Sequence, residues 1–196
     1  IIFLFSLLIL IFTSSHAQPP PYRLFLPLIL TPSSALLPTG DFETQDPVEW
    51  GQVPADGSII TSTLPEGVTP HSGKWIAWLG DHGDYSQSHQ NEISQPLAVP
   101  GYAPYLRFWK RIQSNEDCGF SRDNLMIWVE TAGGQNGEVV HLLTLCKDKS
   151  TSTWSPEIVD LRKYAGQMIT LRVQVITSNP ARTSEVFLDD FTFSPN

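Results

Sequence analysis

Two carboxylates near opposite ends of the chain stand where they could share a metal ion. Asp189 lies in the apolar run EVFLDDFTF. Alternation along a β-strand predicts that it shares one side with three phenylalanines, Phe187, Phe191 and Phe193. Glu43 stands in the segment TGDFETQ, which is predicted to be the first strand.

An ionised carboxylate on a buried face is costly unless it is paired, hydrogen-bonded or bound to a metal. If the first and last strands meet, Glu43 and Asp189 converge, and two carboxylates at one site are stable mainly around a cation. Calcium suits an oxygen-only set of ligands best. The alternative is that Asp189 is hydrogen-bonded or paired with arginine at a sheet end. Asp190 is predicted to lie on the opposite face, in solvent.

Two further segments carry aromatic and hydrogen-bonding side chains along one face. In YLRFWKRI one face holds Tyr105, Arg107, Trp109 and Arg111, opposite Leu106, Phe108 and Ile112. In NLMIWVE, Met126, Trp128 and Glu130 lie opposite Leu125, Ile127 and Val129. Tryptophan rings framed by arginine donors could form a shallow glycan-binding cleft. The alternative is that Trp109 and Trp128 face the other sheet or lie beneath loops.

The loop GDHGDYSQSHQNE, residues 80–92, is a second candidate for binding. Its side chains that could bind a sugar or a second cation are Asp81, His82, Asp84, Tyr85 and His89. The alternative is a solvated loop. The predicted ligand-binding set consists of Tyr85, Tyr105, Arg107, Trp109, Arg111 and Trp128.

The two cysteines, Cys118 and Cys146, are predicted to form one disulfide, because an even count in an exported chain can close as a bridge. The alternative is two buried free thiols. The sequence contains no GxSxG elbow, no HExxH pair and no phosphate-binding glycine loop. We therefore expect a protein without enzymatic activity.

The elements that would position these residues are short and rich in β-forming residues. Segments separated by Gly, Pro, Asn, Asp and Ser are GSIITST, GKWIAWLG, EISQPLAV, YLRFWKRI, NLMIWVE, EVVHLLTLC, MITLRVQVIT and EVFLDDFTF. This density of strands predicts an all-β antiparallel sandwich, and a jelly roll of two facing sheets in particular. The stretch DLRKYAGQ predicts a tight corner in which Asp160 caps the turn and Gly166 takes a positive φ.

The beginning of the chain predicts export. Residues 1–17 have the apolar run and the small residues, Ser15 and Ala17, of a signal peptide cleaved after Ala17, with an uncleaved anchor as the alternative. Residues 18–37 are predicted to form a proline-rich linker, and residues 38–196 the folded domain. The alternatives for YRLFLPLIL within the linker are an added strand on the domain or a surface-attachment region. The net charge of −8 argues against nucleic acid and anionic membranes as partners. We expect a secreted protein, free or attached to the cell surface, with no membrane insertion after cleavage.

The motifs GDFET, HSGKWIAWLG and FLDDFTF, in this order, resemble the calcium-stapled jelly-roll carbohydrate-binding modules of secreted bacterial glycosidases. The resemblance implies a galactose-binding-like fold with a structural calcium held by the side chains of Glu43 and Asp189 and the carbonyls of Asp41 and Lys74. The stretches SQPLAVPGYAPYLRFWKRIQS, CGFSRDNLMIWVE and DLRKYAGQMITLRV resemble the MAM-like domains of extracellular adhesion proteins. The two resemblances imply a non-catalytic binder whose partner is a glycan or, in the alternative, an extracellular protein.

Overall fold

The structure is a computed structural model that describes residues 35–37, 39–44, 50–55, 59–82, 88–131, 137–178 and 181–196. The strands are β1 (Ala35–Leu36), β2 (Gly51–Val53), β3 (Ile60–Thr61), β4 (Ile76–Gly80), β5 (Gln90–Ala98), β6 (Tyr105–Ser114), β7 (Asn124–Thr131), β8 (Glu138–Thr144), β9 (Ser155–Asp160), β10 (Met168–Ile176) and β11 (Ser184–Ser194). The predicted signal peptide, most of the linker, Asp84 and Tyr85 lie outside the described residues. β1 falls within the last residues of the predicted linker, so the sheet begins earlier than position 38.

The strands form two antiparallel sheets that face each other. The six-stranded sheet has the order β3-β4-β11-β6-β9, with β1 paired to the end of β11. The five-stranded sheet has the order β2-β5-β10-β7-β8. The predicted all-β antiparallel jelly-roll sandwich is confirmed. No helix among the described residues is long and apolar enough to cross a membrane.

The core lies between the sheets and follows the alternation in the sequence. From the six-stranded sheet, Leu106, Phe108 and Ile112 point inward, and from the five-stranded sheet Leu125, Ile127 and Val129 do. Every second residue of β10 joins them: Ile169, Leu171, Val173 and Val175. Each such side chain contributes about 1.5–3 kcal/mol when fully buried. The opposite faces of β6 and β7 therefore carry the predicted ligand-binding residues.

A bulge in β11 changes which residues share a face. The pairing of β11 with β6 shifts between Asp189 and Thr192, and Asp190 has a φ of 51°. The extra residue reverses the alternation, because two residues of the bulged strand oppose one residue of the partner. Asp189 therefore stays on the outer face with Phe187, whereas Phe191 and Phe193 pack in the main core. The prediction that Asp189 shares a side with Phe191 and Phe193 was wrong.

The segment of residues 39–44 is a turn and not the predicted first strand. Phe42 has a φ of 58°, and its buried ring packs against Trp50 and Phe191. The amide of Phe191 donates to the carbonyl oxygen of Gly40 at 2.8 Å. A side chain at position 40 would meet the carbonyl oxygen of Phe191 at 2.0 Å, so this approach requires glycine. The two ends of the domain therefore meet, as predicted, but through a turn.

The disulfide and the predicted corner are both confirmed. Cys118 and Cys146 are bonded, which ties the β6–β7 connection to the chain just beyond β8. At the corner, the amide of Arg162 donates to Asp160 Oδ1 at 2.9 Å, and Gly166 has a φ of 76°.

Candidate functional site

Glu43 and Asp189 both bind the segment of residues 71–75. Glu43 Oε1 accepts hydrogen bonds from the amides of Lys74 and Trp75 at 2.6 and 2.7 Å. Asp189 Oδ2 accepts hydrogen bonds from the amides of His71 and Ser72 at 3.0 and 3.1 Å. Four backbone amides of one short segment thus face two carboxylates from distant parts of the chain. The structure brings the two predicted metal ligands to the same segment.

Asp189 is a fully buried carboxylate. Burial raises its pKa to about 7, because water no longer solvates the charged form, and the amides of Ser72, His71 and Asp190 oppose that effect. Among the described residues, no lysine or arginine forms an ion pair with it. Asp189 is therefore hydrogen-bonded to the protein, as one of the predicted alternatives states. Among the described residues it is not paired with arginine.

Asp190 also binds His71 and Ser72, whereas the sequence predicted that it would lie in solvent. Its Oδ2 is 2.5 Å from His71 Nδ1, and its Oδ1 accepts a hydrogen bond from Ser72 Oγ at 2.7 Å. The positive φ at Asp190 turns its side chain toward the side on which Asp189 lies. Asp41 and Lys74, whose carbonyls the resemblance implied as ligands, are exposed neighbours of these groups.

The predicted ligand-binding residues of β6 lie on the outer face of the six-stranded sheet, where residues 67–71 cover part of them. The ring of Trp109 stacks on His71 with centroids 4.0 Å apart, and His71 meets Trp154 edge-on. Arg111 donates to the carbonyl oxygen of Gly67 at 2.8 Å. Arg107 is exposed and, with Trp109, lines a groove of about 170 Å³. Tyr105 is half-buried, and the guanidinium of Arg162 lies over its ring.

Trp128 lies on the outer face of the other sheet, so it cannot share a surface with Trp109. Pairing of the strands places Gly51, Ser94, Arg172, Trp128 and Val139 in one row across the five-stranded sheet. The next row consists of Val53, Glu92, Gln174, Met126 and Leu142. Glu130 continues this surface beside Thr170. We call these outward side chains the Trp128 face.

The centre of the Trp128 face is a network of charged and amide groups. Arg172 donates from Nε and Nη2 to the two oxygens of Glu92, at 2.8 and 2.6 Å, and from Nη1 to Glu130 Oε1 at 2.6 Å. Gln174 Nε2 donates to Glu92 Oε2 at 3.1 Å. The hydrogen bonds that Arg172 donates to the carboxylates of Glu92 and Glu130 raise the pKa of its guanidinium above the usual range, so it keeps its charge.

This network forms a buried floor between exposed apolar margins. Glu92 and Gln174 are only 6% and 7% exposed, although they point away from the core. Val53 and Leu142, at the two ends of the same row, are 53% and 58% exposed. The indole nitrogen of Trp128 is buried without a hydrogen-bond partner among the described residues. Polar groups sheltered between apolar side chains are the usual construction of a small-molecule or glycan cleft.

In the loop at residues 80–92, the described candidate residues, Asp81, His82 and His89, do not form one binding site. Asp81 is buried and accepts hydrogen bonds from Thr177 Oγ1 at 2.6 Å and the Ser184 amide at 2.7 Å, and burial raises its pKa. His82 stacks on Trp78. His89 is half-buried. Within the described ranges, no three His, Cys, Asp or Glu side chains lie close enough together to hold a metal.

Sequence reasoning missed Arg172, Gln174 and Glu92 as candidate residues. Arg172 and Gln174 stand between inward-facing valines and leucines of β10, a pattern that marks an outward face but not its use. Glu92 stands in a different strand, and only strand order places it beside Arg172. The available signal was the run of polar residues at the middle outward positions of β10, Thr170, Arg172 and Gln174.

Comparisons with known proteins agree with the architecture. No family model matches the sequence, and no curated protein matches it. Similar solved structures include TmCBM61 in complex with β-1,4-galactotriose, with a TM-score of 0.55 and 19% identity over 83% of this chain and 99% of that chain.

A carbohydrate-binding module specific for non-crystalline cellulose, CBM28, has a TM-score of 0.51 and 10% identity over 83% of this chain and 96% of that chain. The K3 cleaved adhesin domain of Lys-gingipain from Porphyromonas gingivalis has a TM-score of 0.51 and 18% identity over 79% of this chain and 96% of that chain. At these identities the likeness is one of fold. The chain has the β-sandwich fold found in carbohydrate-binding modules and in gingipain adhesin domains.

Proposed function

We propose that this protein is a non-catalytic glycan-binding module and that the Trp128 face is its binding surface. The observation that carries the proposal is the arrangement of Trp128 beside Arg172, which Glu92 and Glu130 hold in place. An indole ring can pack on the apolar C–H face of a sugar. Carboxylate, guanidinium and amide groups held rigidly beside it can exchange hydrogen bonds with hydroxyls, at little entropic cost on binding.

The fold supports the proposal by analogy. TmCBM61 was solved with β-1,4-galactotriose, and CBM28 is described as specific for non-crystalline cellulose. A shared fold carries many functions, so the argument for this chain depends on the residues of its own surface.

The test is binding to a panel of polysaccharides that includes β-1,4-galactan and soluble cellulose derivatives, measured by affinity electrophoresis and calorimetry. We expect Trp128→Ala to weaken binding at least tenfold, because truncating an aromatic anchor at a binding surface costs about 2 kcal/mol or more. Phe120→Ala is the control, since Phe120 is 85% exposed and lies in the connection between β6 and β7. If Trp128→Ala folds normally and binds glycans as well as the wild type does, the Trp128 face is not the binding surface.

A second candidate function is adhesion through a protein contact, which the exposed apolar margin of the Trp128 face favours. Val139 and Leu142 are exposed in neighbouring rows on β8, at one edge of this surface, and Val53 is exposed on β2 at the opposite edge. Contiguous exposed apolar side chains are typical of protein-binding surfaces. This function predicts self-association or capture of an extracellular protein that Leu142→Asp abolishes, together with no response to any polysaccharide of the panel.

We further propose a structural calcium at Glu43 and Asp189, the two carboxylates bound to residues 71–75. The donor set fits a hard cation: both side chains supply oxygens, and among the described residues the Oε2 atom of Glu43 accepts no hydrogen bond. A buried carboxylate with a raised pKa is a group that a cation would stabilise. Calcium would neutralise the two charges, with the carbonyls of Asp41 and Lys74 as the further ligands implied by the resemblance.

Export remains part of the proposal. A disulfide persists in oxidising compartments, so the Cys118–Cys146 bond supports secretion or display at the cell surface. The same compartment would supply calcium and polysaccharide.

A further inference from the structure

The charge at the centre of the Trp128 face limits the glycans that could bind there. Two carboxylates, Glu92 and Glu130, flank one guanidinium, that of Arg172. No other lysine or arginine occupies the described outward positions of β2, β5, β7, β8 and β10 on this face. The face therefore has one excess negative charge, within a chain whose net charge is −8.

Arg172 is also unavailable as a clamp for an acidic ligand. Arginine binds a carboxylate best through two parallel N–H groups. Arg172 already makes this bidentate contact with Glu92, and Nη1 binds Glu130. A uronate or sulfate group would have to displace one of these carboxylates and would then lie beside it. Like charges at such distances repel strongly where solvent is partly excluded.

The same groups suit neutral hydroxyls. The carboxylates of Glu92 and Glu130 are acceptors for sugar O–H groups, and the remaining N–H groups of Arg172 and Gln174 are donors. The ring of Trp128 and the apolar side chains of Met126 and Leu142 offer surface for C–H groups. We propose that the Trp128 face selects neutral, hydroxyl-rich glycans and excludes those that carry carboxylates or sulfates. This inference rests on the proposed glycan-binding function.

The test uses a mixed array of neutral and acidic polysaccharides that includes matched pairs with one backbone: hydroxyethyl cellulose with carboxymethyl cellulose, and methyl-esterified with de-esterified homogalacturonan. We expect the neutral member of each pair to bind. The affinity for its acidic partner should be at least tenfold lower at low ionic strength. Added salt should narrow this difference, because it screens the repulsion. An acidic member that binds as well as its neutral partner would overturn the inference and leave glycan binding intact. Absence of binding to every member of the array would overturn the proposed glycan-binding function, and the inference with it.

Glu130→Gln tests the assignment to this face, because it removes one carboxylate from Arg172 without changing side-chain size. We expect the affinity for neutral glycans to fall, because a hydroxyl acceptor is weakened and Arg172 loses one partner. Within each matched pair, the ratio of neutral to acidic affinity should nevertheless shrink by tenfold or more. Glu66→Gln is the matched control: it makes the same change in charge at an exposed position in the segment before β4. An equal effect of Glu66→Gln would show that net charge excludes acidic glycans, and would contradict a selective role for this face.

Discussion

At the scale of single residues, Asp189 shows how this protein accommodates a buried charge. The side chain is fully buried, and three backbone amides, those of His71, Ser72 and Asp190, donate to it. Burial still dominates, so its pKa is raised to about 7. Its ionisation should therefore weaken the fold unless a cation is bound.

This expectation gives a pH dependence with a definite sign. The folded protein binds the proton of Asp189 more tightly than the unfolded chain, whose aspartates have pKa values of about 3.9. In chelator, this group's contribution to the free energy of unfolding is therefore largest below pH ~4, falls as the pH rises toward 7, and is level above that value. The total loss is on the order of 3–4 kcal/mol. The free energy of unfolding in urea, measured from pH 5 to 8 with chelator, should fall with rising pH in the wild type. It should change less with pH in Asp189→Asn.

Asp160→Asn provides the control for that measurement. Asp160 is an exposed carboxylate held by Arg162, so its removal should leave the slope between pH 5 and 8 unchanged. If Asp189→Asn keeps the wild-type slope, other groups are responsible for it.

At the scale of elements, strands with strong alternation were predictable and short or irregular ones were not. β6, β7 and β10 alternate as the sequence pattern predicts, and β11 does so only up to its bulge. β9 was missed because its second residue is Pro156, and proline is tolerated in a strand mainly at a sheet edge, which is the position of β9. β2 has three residues and was missed because it is too short to show a period.

The bulge in β11 is the irregular element with the largest consequence. The alternation of FLDDFTF does not place the extra residue, although aspartate is depleted in strands and enriched at positive φ, the conformation that Asp190 adopts. The close approach of Gly40 to Phe191 and the packing of Phe191 on Phe108 accompany the shift in register. The bulge turns both aspartates toward residues 71–72 and leaves the phenylalanines inside.

The disulfide is a second element whose effect can be measured. It closes a loop with a sequence separation of 28 residues, for which the chain-entropy model gives about 3.5 kcal/mol. The double variant Cys118→Ala/Cys146→Ala should lose about that much free energy of unfolding in urea. Reductant should lower the stability of the wild type similarly and leave the double variant unchanged. A wild type that is insensitive to reductant, while the bridge is demonstrably reduced, would contradict this role.

At the scale of the whole molecule, the two ends of the domain are joined at one place. Residues 39–43 reach β11 through the Gly40–Phe191 hydrogen bond, and Glu43 and Asp189 both bind residues 71–75. A cation shared by the two carboxylates would act on this junction and so on the global stability of the sandwich.

The proposed calcium therefore predicts a large thermal shift. A ligand at 1,000 times its dissociation constant stabilises the folded state by about 4 kcal/mol, which corresponds to roughly 10 °C for a domain of this size. Melting with calcium and with chelator should differ by about this amount in the wild type and much less in Glu43→Gln. Glu66→Gln should keep the full shift. Equal midpoints with calcium and chelator in the wild type would rule out the site.

The sequence by itself determined the layer architecture, the alternation of β6, β7 and β10, the disulfide and the corner at Asp160 and Gly166. These features depend on local alternation, turn chemistry and the number of cysteines, all of which can be read within a few residues. Only the tertiary structure decided that Trp109 and Trp128 lie on opposite outer faces, that Asp190 binds beside Asp189, and that Glu92 and Glu130 hold Arg172. Strand order and one bulge set these relations, because they join residues that are far apart along the chain.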